Sequence, residues 1–444
     1  MSIDKAISQA PMGLSDLLED IGVDVEIDDP LIIEEESVEI ILEPESEYDS
    51  DFDDNLAEIL DDGALGKIAS ELVELVEADI ASRKDWAESF VKGLEVLGVN
   101  YEERTEPWNG ACGVYSTVLT EAAIRFQSES IMETFPAAGP VKTEIIGAID
   151  RFKEESAERV QADMNFKLTE EMPEYRPEHE RMLYSLGLSG AAFKKVYYDE
   201  TKGRMVSALV LPDNLYIPYT GSSVMSECQR ITHRVPMSTN DYRKAVIRGQ
   251  YLDTAQMTTA AETGQSIIKK ETDRTTGVDP TGVEEEICLL EFLVDLDIRG
   301  FEHKDEDGEE TGIKLPYIVT IDEISQSVVG VRRNWKEGDP LFARKQYYVH
   351  YLLVQGPGAY GLGFLHLVGG LTKTATSALQ QLVDAGTLAN LPAGFKAKGA
   401  RIANDDTPLS PGEFRDMDAG GAELSASLLP LPYKEPSQTL FALL

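Results

Sequence analysis

Basic residues are scarce in this sequence. Its 444 residues hold 40 Lys and Arg against 80 Asp and Glu, a formal net charge of −40. A protein that grips nucleic acid over a broad surface needs clustered bases to displace counterions from phosphate, so the balance excludes that class. It equally excludes docking on an anionic membrane surface. Cysteine is scarcer still: Cys112, Cys228 and Cys288 stand far apart with no CxxC pair. That excludes a disulfide framework and a thiolate zinc site, and suits a reducing compartment. No apolar run approaches the ~20 residues of a membrane-spanning helix. The start, MSIDKAISQAPM, lacks the basic-then-apolar order of a secretory signal. Catalytic signatures are missing as well, with no GxxxxGK(S/T) loop, no HExxH and no GxSxG elbow. The histidines His179, His233, His303, His350 and His366 stand singly, without ligand spacing, and read as surface or packing residues. No catalytic, cofactor or metal site is expected.

What is present is a globular composition, 42% hydrophobic and 27% charged, over a length that suits roughly three domains. The charge is not spread evenly. Met1–Gly63 carries 22 acidic residues and one basic, a charge of −21, and the other 381 residues carry only −19. Such like-charge density repels itself, so Met1–Gly63 is expected to be a solvated, disordered arm, dispensable for folding of the rest. Within it Val23-Asp-Val-Glu-Ile27 and Val38-Glu-Ile-Ile-Leu42 alternate apolar with acidic residues, a pattern that can add to a sheet edge.

Beyond the arm, apolar residues at i+4 spacing (Ile68, Leu72, Val76, Ile80, then Trp86, Phe90, Leu94) predict one helical region over Ala64–Gly98. Glu102–Gly113 is turn-rich. Further helices are expected over Val114–Phe135, Glu144–Met172 and Pro177–Leu188. After Gly190 the period changes to that of strands: Ala191–Asp199, Arg204–Leu211, Gln229–Val235, Glu284–Val294, Pro316–Trp335 and Ala343–Gln355. Ser238 caps a short helix that Gly249 stops. Thr254–Pro280 is polar and reads as a linker or a helix. Gly363–Asn390 is a long helix, rich in uncharged polar residues (Thr372, Thr374, Thr376, Ser377, Gln380, Gln381). Ala393–Pro436 reads as loop and short strand. Ser437–Leu444 reads as the first turns of an apolar helix, as in a fragment of a longer protein. The fold class is α+β.

Two motifs imitate sites. Gly356-Pro-Gly-Ala-Tyr-Gly361 satisfies GxGxxG between a strand and a helix, with Asp384 downstream. The acid of a dinucleotide site belongs at the end of the next strand, whereas Asp384 lies inside the helix, and Pro357 removes a backbone N–H. The stretch reads as a chain reversal. Asp305, Asp307 and Glu310 imitate part of a calcium loop but lack its twelve-residue order, so Lys304–Glu310 reads as a hairpin tip. Against the acidic background one basic cluster stands out: Lys396, Lys398 and Arg401 in GFKAKGARI, suited to a short contact with phosphate.

The stretch YGLGFLHLVGGLTKTATSALQQLVDAGTLANLPAGFKAKG, followed by PLSPGEFRDMD, resembles the portal proteins, or head-to-tail connectors, of tailed double-stranded DNA bacteriophages. So do VEEEICLLEFLVDLDI, YIVTIDEISQSVVGVRRNW, DPLFARKQYYVHY, TFPAAGPVKTEIIG and EHERMLYSLGLSGAAFKKVYYD, and together these cover most of the chain from about Trp86 onward. The resemblance implies a homo-oligomeric ring of about twelve subunits at one capsid vertex of the virion, assembled in the host cytoplasm. Viral DNA is packaged and ejected through its channel. The implied partners are the major capsid protein, a scaffolding protein, the terminase large subunit, a tail adaptor and the double-stranded DNA. The implied organisation is an arm over 1–63, a helical and β wing-like domain over 64–253, a linker and β-rich clip-like region over 254–362, a stem-like helix over 363–390, and a channel loop with the start of a further helix over 391–444. A later wing helix and a crown would then lie past Leu444. Lys396, Lys398 and Arg401 become candidate DNA contacts. An acidic wall repels phosphate and lets DNA slide, while a few bases at a constriction touch it weakly. Two other classes stay open at this point: an acidic enzyme using the Gly356–Gly361 loop, and a capsid-associated adaptor without a channel.

Overall fold

The computed structural model describes residues 51–98, 104–106, 110–199, 202–218, 224–259, 266–278, 285–305, 308–356, 358–390 and 438–443, together with the backbone of four short strands between 394 and 430. The chain divides into two units, one of residues 51–94 and 122–367, the other of 95–121 and 368 onward. Its architecture is mixed α and β, as the α+β expectation requires.

The first unit opens with a 3₁₀ turn at Leu56–Glu58, then α1 (Asp62–Ser82) and α2 (Lys84–Glu95). α3 (Val118–Thr134), α4 (Arg151–Phe166) and α5 (Tyr175–Ser189) follow. Gly190, at φ +90°, ends α5, a left-handed position that glycine adopts without strain. Then come β1 (Ala191–Asp199), β2 (Arg204–Val210), β3 (Leu215–Tyr216), β4 (Arg230–Ser238), α6 (Thr239–Ile247) and β5 (Thr258–Thr259). α7 (Ile267–Thr276), β6 (Glu285–Leu296), β7 (Leu315–Asp322), β8 (Val328–Arg333), β9 (Tyr348–Leu352) and α8 (Phe364–Asn390) complete it, α8 running on into the second unit.

Two antiparallel sheets make the core. One has the order β2-β1-β9; the other has the order β3-β4-β6-β7-β8, with β5 on β6. β6 explains the arrangement. Its run Leu289–Val294 is apolar apart from Glu291 because both faces of the strand are buried. Leu290, Phe292 and Val294 pack with Leu56, Leu60, Leu72 and Val76, whereas Leu293 packs with Phe193, Ile231 and Tyr348. The first group covers one face with the N-terminal helix; the second joins the two sheets. A buried ion pair crosses that joint: Lys195 Nζ on β1 lies 2.8 Å from both carboxylate oxygens of Glu291 on β6. Tyr348 on β9 donates to Glu291 Oε1 at 3.2 Å. Burial alone would raise the Glu291 carboxyl, but the charge and hydrogen bonds of Lys195 outweigh it and hold it below its ordinary value.

Three sequence expectations change here. The acidic arm does not extend to Gly63. Leu56, Ala57 and Leu60 are buried in the main core and Phe52 packs against it. Charge density marked the segment as solvated, yet Phe52, Leu56 and Leu60 recur at i+4 and give it an apolar face. Residues 1–50, with both alternating acidic segments, lie outside the described residues. The boundary at 253/254 also disappears, because β4 pairs with β6 along Arg230–Ser238 and both belong to one sheet. Finally, the helical region Ala64–Gly98 is two helices separated by Arg83. The Arg83 guanidinium is buried and donates to the carbonyls of Pro212 (2.7 Å), Leu215 (3.0 Å) and Asp213 while stacking on Tyr216, 4.2 Å from its ring centre.

α4 has a different character, since none of its residues is buried. The extended chain before it is held by helix side chains: Asn165 exchanges hydrogen bonds with the N–H (2.9 Å) and C=O (3.1 Å) of Val141, and Gln161 accepts from Thr143 N. Ile146, Ile149 and Phe152 at the start of this arm are 95%, 69% and 70% exposed. Among the described residues no helix is long and apolar enough to cross a membrane.

Candidate functional site

In the second unit, α8 is approached by an extended strap, residues 110–116. A strap outside any sheet must satisfy its backbone groups elsewhere, and here it uses helix side chains at i, i+4 and i+8. Ser116 N donates to Thr376 Oγ1 at 3.0 Å, Gln380 Nε2 donates to Val114 O at 3.0 Å, and Cys112 N donates to Asp384 Oδ1 at 2.7 Å. Arg104 closes the end of this ladder. Its Nη1 donates to Gln380 Oε1 at 3.0 Å and Cys112 O at 3.2 Å, and stands 3.8 Å from the Asp384 carboxylate.

The polar residues expected along one face of the helix therefore fall into two sets. Thr372 and Thr376 are buried, and Gln380 is committed to the strap. Thr374, Ser377 and Gln381 are exposed, at spacings of three and four that place them on one stripe. Thr374 returns its hydroxyl to Gly370 O at 3.0 Å. From Thr374 to Val383, between Lys373 and Asp384, α8 carries no charge. The outward stripe is thus polar, neutral and free of strong donors or acceptors of charge-assisted bonds.

The basic cluster is not a single loop. Lys396 ends β10 (Gly394–Lys396), which pairs with β13 (Leu428–Pro430), and lies opposite Leu428. Arg401 begins β11 (Arg401–Ile402), which pairs with β12 (Met417–Asp418), and lies opposite Asp418. The two bases flank the connection between two small ladders, and Lys398 lies outside the described residues. Past them, α9 (Gln438–Leu443) takes the place of the expected terminal helix.

The imitating motifs resolve locally. A Cβ on Gly361 would sit 2.5 Å from Gly190 O, and one on Gly363 would sit 2.3 Å from Leu188 O. These glycines permit one backbone to cross another, so the space a phosphate would need beside Gly361 is filled by the end of α5. The stretch is a chain reversal into α8, as read. Lys304 and Glu310 form an antiparallel bridge, with Thr311 N donating to His303 O at 2.9 Å, the hairpin expected there; Asp307 lies outside the described residues. Among the described residues no group of three or more His, Cys, Asp or Glu is placed to hold a metal.

Sequence reasoning missed the strap. Arg104, Cys112 and Ser116 meet partners more than 250 positions away, and a turn-rich segment announces no partner. No protein-family model matches the chain, and no curated protein is similar enough to count as a match.

Proposed function

We propose that this chain is the subunit of a ring that conducts double-stranded DNA, a portal protein of a tailed bacteriophage, with α8 in the part of a stem helix beside the channel. The observation that carries the reading is the neutral outward stripe Thr374, Ser377 and Gln381 on a 27-residue helix, in a chain of net charge −40. A wall for moving DNA must not hold it. Neutral hydroxyl and amide groups make no charge-assisted bonds to phosphate, and surrounding acids repel it. The resemblance of the sequence from Trp86 onward supports the same reading. So does the arm around α4, where Ile146, Ile149 and Phe152 offer apolar area that neighbouring subunits of a ring can cover. In this reading the two-sheet body serves as wing and clip, Lys396, Lys398 and Arg401 contact DNA, and the ring meets capsid protein, scaffold, terminase and tail adaptor at a capsid vertex. The chain carries no chemistry of its own in that role. Electron-microscope projections of the purified protein, with mass photometry, test it: rings with a central hole are expected, and a sole monomer peak at micromolar concentration and low salt would refute it.

A further inference from the structure

The α4 arm leaves the body between the end of α3 and the first turn of α5. None of the residues of α4 is buried, so the arm is held where its two ends meet the body. A stack of rings and cations forms that base. The Arg176 guanidinium lies 5.6 Å from the Phe135 ring centre, and Phe135 lies 6.2 Å from Tyr175. Tyr175 stacks on His179 at 5.9 Å, and Lys194 Nζ of β1 lies 4.4 Å from the Tyr175 ring centre. Beside the stack, Arg204 of β2 holds the Glu174 carboxylate at 2.5 and 2.9 Å.

His179 is the centre of this base, and its hydrogen bonds run one way. Lys194 Nζ stands 3.2 Å from His179 Nδ1, His179 Nε2 stands 3.0 Å from Thr134 Oγ1, and Thr134 donates to Ser130 O at 2.8 Å. A lysine ammonium only donates, and a threonine hydroxyl whose proton goes to a carbonyl accepts from its other neighbour. Nδ1 is therefore the acceptor and Nε2 carries the proton. A second proton, on Nδ1, would face the buried Lys194 ammonium: one donor would lose its acceptor, and two cations would meet away from water. The neighbouring elements bring little relief. On α5, Glu178 already accepts from Leu209 N at 3.0 Å and from Arg181 at 2.9 Å, and Glu180 accepts from Arg176 at 3.2 Å. From β9 comes the phenol of Tyr351, which burial keeps neutral.

We infer that His179 is a proton-operated lock on the α4 arm: a proton on Nδ1 breaks the link between β1, α5 and the end of α3, and the arm is released at its base while both sheets stay closed. With the base closed, burial and the Lys194 charge hold the imidazole down to about 4; with the base open it returns to its ordinary 6.5. The open state binds the extra proton, so acid drives opening through that window. Lys194 keeps its charge there, since burial depresses it only to about 8. Glu174 acts in the same sense but at lower pH, because its carboxyl starts from 4.5 and the bond from Arg204 lowers it. This inference stands apart from the DNA-conducting reading.

Amide hydrogen exchange of the full-length protein at pH 7 and pH 5, read by peptide mass spectrometry and corrected for the intrinsic rate, tests it. Amides in the last turn of α3 and the first turn of α5 are expected to lose about twentyfold in protection, which is what one proton bound at 6.5 when open and at about 4 when closed supplies over that interval. Protection along Leu289–Val294 of β6 should change less than about threefold, because the core opens separately. His179→Asn has no proton to take up and should respond less than about twofold; Lys194→Met removes the opposing cation and should fall between it and the parent. An equal loss at the arm base and in β6 would mean that the sheets open with the arm, and would overturn the inference. So would an arm base equally protected at both pH values, or a response of His179→Asn equal to the parent's. The comparison of arm base with β6 in the parent protein needs no substitution, so it decides the matter where a variant fails to fold.

Discussion

The Asn55 side chain closes the outer edge of the larger sheet: its Oδ1 accepts the Val331 N–H at 2.9 Å, while its Nδ2 donates to Val329 O at 3.4 Å. One amide thus does on β8 what a neighbouring strand would do. The same Oδ1 accepts from Ala57 N at 3.1 Å and caps the 3₁₀ turn. Asn55→Ala leaves two buried N–H groups, those of Val331 and Ala57, without this partner, and a loss of about 2 kcal/mol or more is expected. Urea unfolding checks this, with Asn55→Asp, which keeps the acceptor, falling between the two.

Truncation separates the acidic segment from the folded part of the expected arm. Removing residues 1–50 leaves every described core residue in place and should cost less than about 1 kcal/mol. Removing residues 1–60 also takes Leu56 and Leu60 out of the core and should cost more than about 4 kcal/mol. Equal melting temperatures for the two truncations would show that the N-terminal turn does not support the sheet.

The crossing of α5's end with the reversal before α8 depends on glycine. Gly190→Ala places a Cβ 2.3 Å from Gly363 N at a positive φ, and Gly361→Ala places one 2.5 Å from Gly190 O. Backbone cannot swing aside as a side chain can, so each change should cost about 3 kcal/mol or more. Gly358→Ala in the same loop meets nothing within 4 Å and serves as the neutral control. Thermal unfolding of the three variants distinguishes a packing role from a ligand-binding one.

Acid should weaken the first unit below pH 6.5. Burial, with the Lys194 charge, holds His179 down to about 4; burial, with the Lys195 charge, holds His233 to about 3. The unfolded chain takes up protons on both between pH 6.5 and 4, and the folded chain does not, so stability falls as pH drops through that window. The Glu291 carboxylate, held low, acts in the same direction. Lys194, which burial depresses to about 8 from 10.5, makes stability rise again between those values. Denaturation midpoints from pH 4 to 7 should show a loss of about 3 kcal/mol or more, shallower in His179→Asn. A flat profile would contradict the buried, neutral imidazoles.

Replacing Lys396, Lys398 and Arg401 together by alanine should leave oligomer size unchanged and alter DNA packaging or retention, most visibly at low salt. Packaging and retention equal to the parent at every ionic strength would remove these bases from the DNA path. Loss of the oligomer would place them at a subunit contact.

Local chemistry was legible from the sequence. The strand Ala191–Asp199 could be read because its pattern changes right after Gly190, and the cap of α6 because Ser238 precedes it; both match the structure, with Asp241 N donating to Ser238 Oγ at 3.1 Å. The hairpin at Lys304–Glu310 and the long helix α8 followed from the same kind of signal. What escaped depends on distant partners. Arg83 breaks a helix because of carbonyls some 130 positions away, and the strap on α8 exists only once Gln380 and Asp384 stand beside it. Leu56 and Leu60 were hidden by the acids around them, since a charge count says nothing of which side a residue faces. The polar side of α8 was visible as composition, but its division into a strap-bound ladder and an open stripe was not.

The Lys195–Glu291 pair acts as a key between the two sheets. Desolvation offsets much of its attraction, so its net contribution to stability is small. Its effect lies in what it forbids. Side chains alternate along a strand, so a slip of either β1 or β6 by one residue would turn one partner away and leave the other charge buried without a counter-ion, a penalty of about 3 kcal/mol or more. Apolar residues such as Leu293 and Phe193 would accept several offsets almost equally well. With the key in place, the two sheets have one register in which to close.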